Sequence, residues 1–410
     1  MTFGDTTVMK ATSIAKNYLE SLVEELKISE ARYEQVEGRY NSLGDWLNRD
    51  ASRIREYEPS VYVQGSFGLG TVIKPLHADA DYDIDVVCEL KHLNKAQLSQ
   101  ATLKEMVGDE VESYRRAHAM SKPLREGRRC WTLYYSDGAQ FHMDVVPALP
   151  NGRDVQLLLE SRGLDASRAG TVIAITDNER LDYPQITEDW PRSNPKGYVA
   201  WFKGRMRVQL ELRKRALAEA VNASVEEIPD YKVRTPLQSS IMILKRHRDI
   251  MYVKDEINCC PISIIITTLA AHAYQGEAEI ADALLSILIG MEDHIQRDAN
   301  GRAVIANPSD PLENFADKWA EFPEREDAFY EWLDQARRDF TEAAGLGDRH
   351  SIAATLSEHI GEEMAKRASD RAATKPSGML RAATSAAAGT ASAPSFGSTA
   401  RTPTKPKGFA

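Results

Sequence analysis

Acidic and apolar side chains alternate through residues 81–87, and this period-two pattern constrains the fold more tightly than any other feature of the chain. A β-strand turns alternate side chains to the same face, so Asp81, Asp83 and Asp85 would share one face while Ile84 enters a core. Three ionised carboxylates about 7 Å apart in successive pairs repel one another and weaken the strand. We therefore expect this face to bind divalent cations.

A second predicted strand, residues 139–147, would bring a further carboxylate to the same site. Its alternation places His142 and Asp144 on the face opposite the apolar residues. The Asp-Gly pair at 137–138 is typical of a hairpin turn, so a hairpin from a strand at 130–136 would deliver Asp144. We interpret His142 as a hydrogen-bonding neighbour of this acid and not as a catalyst.

A glycine-serine turn follows another predicted strand, residues 60–64. Gly65 should end that strand, because a residue without a Cβ turns the backbone at little conformational cost. The backbone N–H groups after the turn, with the Ser66 hydroxyl beside them, can then face an anion. Such a concavity suits the terminal phosphates of a nucleoside triphosphate.

The predicted acids and the glycine turn together are typical of nucleotidyl transfer. Asp83, Asp85 and Asp144 would hold two divalent cations about 3.5 to 4 Å apart, which orient an attacking hydroxyl and neutralise charge on the α-phosphate and the leaving pyrophosphate. This chemistry depends on positioning and charge neutralisation. No cysteine or serine nucleophile is required.

In several segments the chain resembles the template-independent nucleotidyltransferases of the polymerase-β type. Within them it is similar to the bacterial cyclic-oligonucleotide synthases (CD-NTases) of CBASS anti-phage systems, which are related to cyclic GMP-AMP synthase and oligoadenylate synthase. The nearest likeness is to the enzymes that make cyclic trinucleotides. The resembling segments span most of residues 60–275 and comprise Gly65-Ser66 through Pro75, residues 81–87 and 144–147, Ser193-Asn194-Pro195-Lys196-Gly197-Tyr198 with Trp201-Phe202, and Thr235-Pro236-Leu237-Gln238 with Leu244-Lys245-Arg246-His247-Arg248-Asp249.

The resemblance implies an α+β fold with two lobes, and the Ala-, Ser-, Thr-, Gly-, Pro- and Lys-rich composition from Ala368 onward predicts a disordered C-terminal tail. One lobe is a polymerase-β-like nucleotidyltransferase lobe, a mixed sheet with helices, and the other is a helical lobe like that of oligoadenylate synthase. We place N-terminal spine helices at 1–58, the nucleotidyltransferase core at 59–195, the helical lobe at 196–368 and the tail at 369–410. The two spine helices, separated by a break that Ser29 caps, should pack together behind the sheet.

The same resemblance implies a function, a set of site residues and partners. The product would be an adenine-rich cyclic trinucleotide for anti-phage signalling, made from ATP and other nucleoside triphosphates with two Mg²⁺ ions, or with Mn²⁺. Catalysis and metal binding fall to Asp83, Asp85 and Asp144, and nucleotide binding to Gly65, Ser66 and Lys245. The implied protein partners are a HORMA-type activator and a ubiquitin-type (E1/E2-like) conjugating partner that joins Ala410 to target molecules.

Two groups of side chains in the predicted helical lobe allow more than one interpretation. Lys245 lies on the polar face of a helix predicted at 236–250, where it would contact the triphosphate or form an ion pair with Asp249 one turn later. Tyr198, Trp201 and Phe202 are at helical spacing, which favours packing in a core over stacking on a base.

Charge and composition limit the binding partners and the cellular compartment that we expect for the protein. Residues 371–410 contain six Lys or Arg and no acid, so the overall formal charge of −10 leaves −16 on residues 1–370. A body this acidic disfavours strong binding to duplex nucleic acid. The four cysteines lack the spacing of zinc ligands, and no apolar run reaches membrane-spanning length or resembles a signal peptide. We expect a cytoplasmic protein with reduced cysteines.

Two other functions remain open on the sequence alone. One is a nucleotidyltransferase that adds a nucleotide to RNA, a protein or a small molecule. The other is a catalytically silent nucleotide-binding sensor. The acidic charge disfavours the RNA version, and the presence of all three acids disfavours the sensor.

Overall fold

The computed structural model describes residues 10–77, 81–135 and 141–374. The predicted turn at 137–138 and the tail with Ala410 lie outside the described residues.

The described residues form two sets of regular elements. The helices are α1 (Ser13–Leu26), α2 (Glu30–Leu47), α3 (Gly65–Leu69), α4 (Gln100–Ala117), α5 (Gly152–Ser161), α6 (Pro195–Val221), α7 (Pro236–Met251), α8 (Ser263–Ala273), α9 (Ile280–Gly290), α10 (Pro323–Gly345), α11 (Arg349–Ile360) and α12 (Glu362–Thr374). The strands are β1 (Pro59–Val63), β2 (Tyr82–Leu90), β3 (Arg125–Glu126), β4 (Trp131–Tyr135), β5 (Phe141–Pro150), β6 (Ile173–Ile175), β7 (Arg192–Ser193), β8 (Gln296–Arg297), β9 (Ala303–Val304), β10 (Ala306–Asn307) and β11 (Asp310–Asn314).

The main sheet is mixed, as predicted. Its order is β1-β2-β5-β4-β3, and β6 continues from β5 to β7. β2 and β5 run parallel, whereas the other paired strands of this sheet are antiparallel. The antiparallel pairing of β4 with β5 agrees with the predicted hairpin, and the helical elements after residue 195 confirm the second lobe.

One core lies between the sheet and two helices. Ile84 on β2 and Met143 on β5 are completely buried there, against Val107 of α4 and Leu43 of α2. The apolar face of the alternating strands therefore enters the core, and the acidic face turns away from it. This division of the two faces positions the site.

The prediction that both N-terminal helices pack behind the sheet is wrong for α1. Tyr18, Leu22 and Leu26 are completely buried in the core of the helical lobe, whereas α2 packs in the sheet core. The two helices separate at residues 27–29, where Ser29 caps α2 by accepting a hydrogen bond from the Arg32 backbone N–H. The predicted break is present, and it allows the apolar faces of α1 and α2 to pack in different cores.

The predicted start of the tail at residue 369 is also too early, because α12 continues to Thr374. The last turns of α12 pack on α1. Arg371 Nε donates to Glu25 Oε1 at 2.6 Å, and Asn17 Nδ2 donates to the Ala372 carbonyl at 3.0 Å. Contacts with a helix more than 300 residues earlier stabilise a segment whose local composition resembles a linker.

The aromatic residues at the start of α6 belong to the core. Trp201 is 8% exposed, and the Tyr198 hydroxyl hydrogen-bonds Thr268 Oγ1 at 2.7 Å. Packing in the core therefore accounts for their spacing. Among the described residues, the helices are all too short or too polar to cross a membrane.

Candidate active site

The parallel pairing of β2 with β5 brings the predicted acids together. In this register Asp85 lies opposite Asp144, and Asp83 lies opposite His142. Asp83 is exposed, and the other three side chains are partly buried. Because the alternate residues of both strands enter the core, the register places the polar side chains at the same surface of the sheet.

Asp83, His142 and Asp144 form a compact cluster whose ligand atoms all lie within 4.8 Å of one another. His142 Nε2 lies 3.2 Å from Asp83 Oδ1, and this hydrogen bond raises the pKa of His142. The sequence predicted His142 as a neighbour of Asp144, and the structure pairs it with Asp83. The Thr132 hydroxyl donates to Asp144 Oδ1 at 2.6 Å, so the orientation of that carboxylate is fixed by β4.

Asp85 lies deeper in the site than Asp83. Burial raises the pKa of Asp85 to about 7, and the charges of Asp83 and Asp144 act in the same direction. His142 and Lys245 act in the opposite direction and only partly offset these effects on the pKa of Asp85. A bound cation would lower the pKa of Asp85 again, since an opposite charge favours the ionised carboxylate.

Gly65 packs directly on the Asp85 carboxylate. Its φ is +57°, and a Cβ at this position would lie 2.5 Å from Asp85 Oδ2. The preceding residue joins the two segments, because the Gln64 N–H donates to the Asp85 carbonyl at 2.8 Å. Glycine is thus required both for the left-handed backbone and for the close approach to the acid.

The predicted turn after Gly65 continues as the short helix α3. The first N–H groups of a helix have no acceptor within it, so those of Gly65, Ser66 and Phe67 begin α3 without intrahelical partners. Gly70 ends α3 in the left-handed region, with φ of +67°. The backbone therefore doubles back within a few residues of Ser66.

A cleft of about 400 Å³ lies between this turn and the helical lobe. Its lining brings the predicted nucleotide-binding residues together with two of the three acids. The lining residues are Gly65, Ser66, Leu69, Thr71, Val72, Ile73, Lys74, Pro75, Asp81, Tyr82, Asp83, Asp85, Lys245, Arg248, Asp249, Ser263, Ile264 and Thr267.

Lys245 reaches into this cleft from α7. Its Nζ donates to the Thr71 carbonyl at 3.2 Å, and burial, together with the charge of Arg248, lowers the pKa of Lys245 to about 8. In the described part of the chain Lys245 forms no ion pair with Asp249, which instead pairs with Arg248 at 2.6 Å. A buried ammonium group that donates to one carbonyl among the residues described is suited to binding an anion.

Two residues of the site were not predicted from the sequence. Thr132 lies opposite Asp144 in the β4–β5 register, so the predicted hairpin contained a signal for this contact. Arg248 lines the cleft and donates to the Pro261 carbonyl at 2.6 Å. The spacing of residues on α7 does not show which of them face the other lobe, so the sequence does not predict a role for Arg248.

A second group of potential metal ligands lies in the helical lobe, and hydrogen bonds account for it. Asp339 Oδ2 accepts from His247 Nε2 at 3.0 Å and from His359 Nδ1 at 2.7 Å, and Gln335 donates to Oδ1 at 2.7 Å. His247 Nδ1 is buried without a partner among the described residues. A metal-bound His247 would leave a buried N–H without an acceptor, so these residues are best understood as a link between α7, α10 and α11.

The acids at the cleft, by contrast, fit a divalent cation. Asp83, Asp85 and Asp144 offer carboxylate oxygens, which are the ligands that hard cations such as Mg²⁺ prefer. Burial, and after it the charges of Asp83 and Asp144, raise the pKa of Asp85, so its ionised form is disfavoured without a cation. The donor set and its charge agree with metal-dependent phosphate chemistry.

Comparisons with known proteins agree with this geometry. The family model for the nucleotidyltransferase domain of cyclic GMP-AMP synthase DncV-like proteins matches residues 59–147. A c-di-GMP synthase of Roseivirga ehrenbergii is 30% identical over 341 residues, which are 81% of this chain and 81% of the relative. The cyclic dinucleotide synthase CdnG of Bradyrhizobium diazoefficiens is 24% identical over 294 residues, or 69% of this chain and 65% of the relative.

Solved structures show the same fold. A structure of the B. diazoefficiens CD-NTase CdnG in complex with GTP has a TM-score of 0.64 and 20% identity, and the match covers 87% of this chain and 98% of that chain. The CdnC of Escherichia coli MS115-1, in a complex with HORMA-deltaN, has a TM-score of 0.54 and 14% identity, with coverage of 87% and 98%.

Proposed function

The chain belongs to the family of cyclic GMP-AMP synthase DncV-like nucleotidyltransferases, and from this premise we propose that it joins nucleoside triphosphates, GTP among them, into a cyclic dinucleotide. Synthesis of a cyclic oligonucleotide from nucleoside triphosphates is supported by both curated relatives. The observation that carries the proposal for this chain is the strand register that sets Asp85 against Asp144 beside the Gly65 turn.

The proposed product differs from the adenine-rich cyclic trinucleotide that the sequence resemblance implied. The relative at 30% identity is named a c-di-GMP synthase, and the second relative is named a cyclic dinucleotide synthase. The structural neighbour with the same name as the second relative was solved with GTP. These three observations favour two nucleotides in the ring and guanine as a base.

The cleft residues would hold the donor nucleotide. The N–H groups at the start of α3, at Gly65 and Ser66, would bind the terminal phosphates, because they lack intrahelical acceptors and both residues line the cleft. Lys245 would exchange its contact with the Thr71 carbonyl for a phosphate oxygen. A contact in which both the ammonium donor and the phosphate acceptor are charged is stronger than one from the ammonium group to a neutral carbonyl.

The acids would orient and deprotonate the acceptor. A ribose hydroxyl of the second nucleotide attacks the α-phosphate of the first, a new O–P bond forms, and the bond to pyrophosphate breaks. The carboxylate of Asp144, whose Oδ1 is fixed by Thr132, would take the hydroxyl proton. A second transfer within the linear intermediate closes the ring and releases a second pyrophosphate.

Asp83, Asp85 and Asp144 would hold two Mg²⁺ ions, with Mn²⁺ as a substitute. When bound, such ions lower the pKa of the acceptor hydroxyl and neutralise charge on the phosphates. The number and identity of the ions are part of the proposal. The exposure of Asp83 leaves it accessible for ligation by an ion that enters with the nucleotide.

Product analysis tests the proposal. Purified protein is incubated with Mg²⁺ and each pairwise combination of ATP, GTP, CTP and UTP, treated with phosphatase and examined by mass spectrometry. We expect a phosphatase-resistant cyclic dinucleotide that requires GTP. A cyclic trinucleotide would correct the ring size, and transfer to an added RNA, protein or small molecule would replace the function.

A matched pair of variants controls this experiment. Asp83→Asn should abolish the product, whereas Asp109→Asn should leave it unchanged, because Asp109 lies on α4 with a side chain that is 62% exposed. Nucleotide binding without any product, in wild type and in both variants, would favour the sensor function.

Two protein partners belong to the proposal as well. A HORMA-type activator is supported by the fold shared with CdnC, which was solved with a HORMA protein. A ubiquitin-type conjugating partner that acts on Ala410 stays a prediction from the sequence, since residues 375–410 lie outside the described residues. Stimulation of synthesis by an added HORMA protein would test the first partner directly.

A further inference from the structure

Backbone carbonyl groups along the cleft are held by side chains that do not line it. We call residues 69–75 the cleft loop, because most of them line the cleft; the loop begins at the last residue of α3. Besides Lys245, three side chains of the segment 234–246 donate to its carbonyl groups. The donors are Arg234 Nη1 to Gly70 at 2.7 Å, Gln238 Nε2 to Leu69 at 2.9 Å, and Arg246 Nη2 to Lys74 and, at 3.3 Å, to Pro75.

Gln238 packs directly against Gly70. It is 5% exposed, and a Cβ on Gly70 would lie 2.5 Å from its Nε2. The backbone of Gly70 is left-handed, with φ of +67°. The absence of a side chain at residue 70 thus allows both the turn and the contact with the Gln238 amide.

The bond from Gln238 reaches the phosphate-binding turn through α3. Leu69 is the last residue of α3, the same short helix that begins at Gly65 and Ser66. The Ser66 carbonyl in turn accepts from the Thr71 N–H at 2.9 Å. Fixing the Leu69 carbonyl therefore fixes the whole turn relative to α7.

The same face of α7 carries Lys245, seven residues after Gln238. Two helical turns separate the two side chains, so they lie on one side of the helix. Lys245 Nζ donates to the Thr71 carbonyl, two residues after the carbonyl that Gln238 holds. Helix α7 thus fixes the distance between the Lys245 ammonium group and the turn at Ser66.

We propose that Gln238 is a positioning residue for nucleotide binding: its amide couples α7 to the cleft loop, so that the N–H groups of the turn and the Lys245 ammonium are set in place before the triphosphate arrives. This inference rests on the proposed function. It assigns a role to the Thr235-Pro236-Leu237-Gln238 segment, and this role does not require direct contact with the nucleotide.

The two ends of the Gln238 side chain have separate tasks, which makes the proposal testable. Oε1 accepts from the Thr235 N–H at 2.9 Å in a capping box that starts α7, while Nε2 donates to the cleft loop. Glutamate also closes a capping box. Gln238→Glu therefore retains the helix start and removes the donor to Leu69.

The experiment measures equilibrium binding of a non-hydrolysable GTP analogue with Mg²⁺, together with hydrogen exchange of the Thr71 amide. Loss of one buried hydrogen bond should raise the Kd for the analogue about tenfold in Gln238→Glu. The Thr71 amide should exchange faster while the melting temperature changes little. Gln238→Met repeats the test without a buried charge, in case the glutamate variant folds poorly.

Gln209→Glu is the matched control. Gln209 on α6 also donates to a backbone carbonyl, that of Gly276 at 2.9 Å, but on the exposed surface of the helical lobe. It should bind the analogue as wild type does. Unchanged binding and exchange in both Gln238 variants would overturn the inference. If the wild-type protein bound no nucleotide, the proposed function would fail, and Thr71 exchange would still decide whether Gln238 holds the loop.

Discussion

Gly65 and Asp85 illustrate how the site depends on single atoms. The left-handed backbone of Gly65 could be inferred from the sequence, because the turn follows directly from a strand. Its contact with Asp85 could not, since that contact depends on how β1 and β2 pair. A methyl carbon on Gly65 would lie only 2.5 Å from Asp85 Oδ2, so the glycine is part of the acidic site.

Gly65→Ala should therefore reduce activity far more than stability. The new methyl group would displace the Asp85 carboxylate, and we expect a loss of at least about 100-fold in kcat/KM, or about 3 kcal/mol of transition-state stabilisation. Backbone strain should cost about 1 kcal/mol of folding stability. Steady-state kinetics and urea unfolding measure the two effects.

Gly163→Ala is the control for strain alone. Gly163 has φ of +68° and nothing within 4 Å of a Cβ position. It should lose similar stability and retain activity. Full activity in Gly65→Ala would show that catalysis does not require the Asp85 carboxylate at its observed position.

Thr132 provides a second prediction for a single side chain. Thr132→Val keeps the shape of this fully buried residue and removes the hydrogen bond to Asp144 Oδ1. We expect kcat to fall about tenfold, since the carboxylate would lose its fixed orientation by a bond worth about 1 to 2 kcal/mol. Thr268→Val, which removes a hydrogen bond within the helical lobe, should leave kcat unchanged. Equal rates for both variants would contradict a positioning role for Thr132.

At the scale of elements, alternation predicted the two central strands and their buried faces well. It could not predict how they pair, because the parallel β2–β5 register depends on the whole sheet. Helix α7 was also predicted, with a start at Pro236 that the structure confirms. Its bonds to the cleft loop were not predicted, since nothing in a helical pattern identifies acceptors about 170 residues away.

The contact between α7 and the cleft loop predicts coupling between two substitutions. Gly70→Ala would collide with the Gln238 amide, and Gln238→Ala would remove that amide. Each single variant should weaken nucleotide binding. The loss of binding free energy in the double variant should be about 1 kcal/mol smaller than the sum of the two single losses. A double-mutant cycle of analogue binding measures this energy. Strict additivity would show that the residues act independently.

At the scale of the whole molecule, the two-lobe α+β architecture followed from the sequence, but the partition of helices between lobes did not. α1 and α12 are far apart in the chain and pack together, and Glu25 of α1 is 8% exposed beside Arg371. Local composition predicted a tail from residue 369, because an Ala-rich polar segment has no packing partner among the residues nearby in the chain. Only the tertiary contact with α1 explains why α12 extends to Thr374.

The helical lobe should lose stability in mild acid through His272. Burial lowers the pKa of His272 to about 4, and the nearby charges of His294 and Arg205 act in the same direction. The unfolded chain, with a histidine pKa of about 6.5, binds the proton first, so unfolding becomes more favourable as the pH falls from 7 to 5. Because the ring is partly exposed, we expect this residue to account for about 1 kcal/mol of the loss.

Urea unfolding at pH 7 and pH 5 measures the effect. His272→Gln should lose less stability between these pH values than wild type, whereas His350→Gln, on the surface-facing first turn of α11, should lose as much as wild type. An identical pH dependence in all three proteins would show that His272 does not titrate as its environment indicates.

The central claim is that the acids brought together by β2 and β5 transfer nucleotides in a metal-dependent reaction. The most direct measurement is pyrophosphate release from GTP and ATP by wild type, Asp85→Asn and Asp109→Asn, each with Mg²⁺ and after its removal by EDTA. We predict release by wild type and Asp109→Asn with Mg²⁺ alone, and none by Asp85→Asn. Release by Asp85→Asn at the wild-type rate, or release that persists in EDTA, would contradict the account.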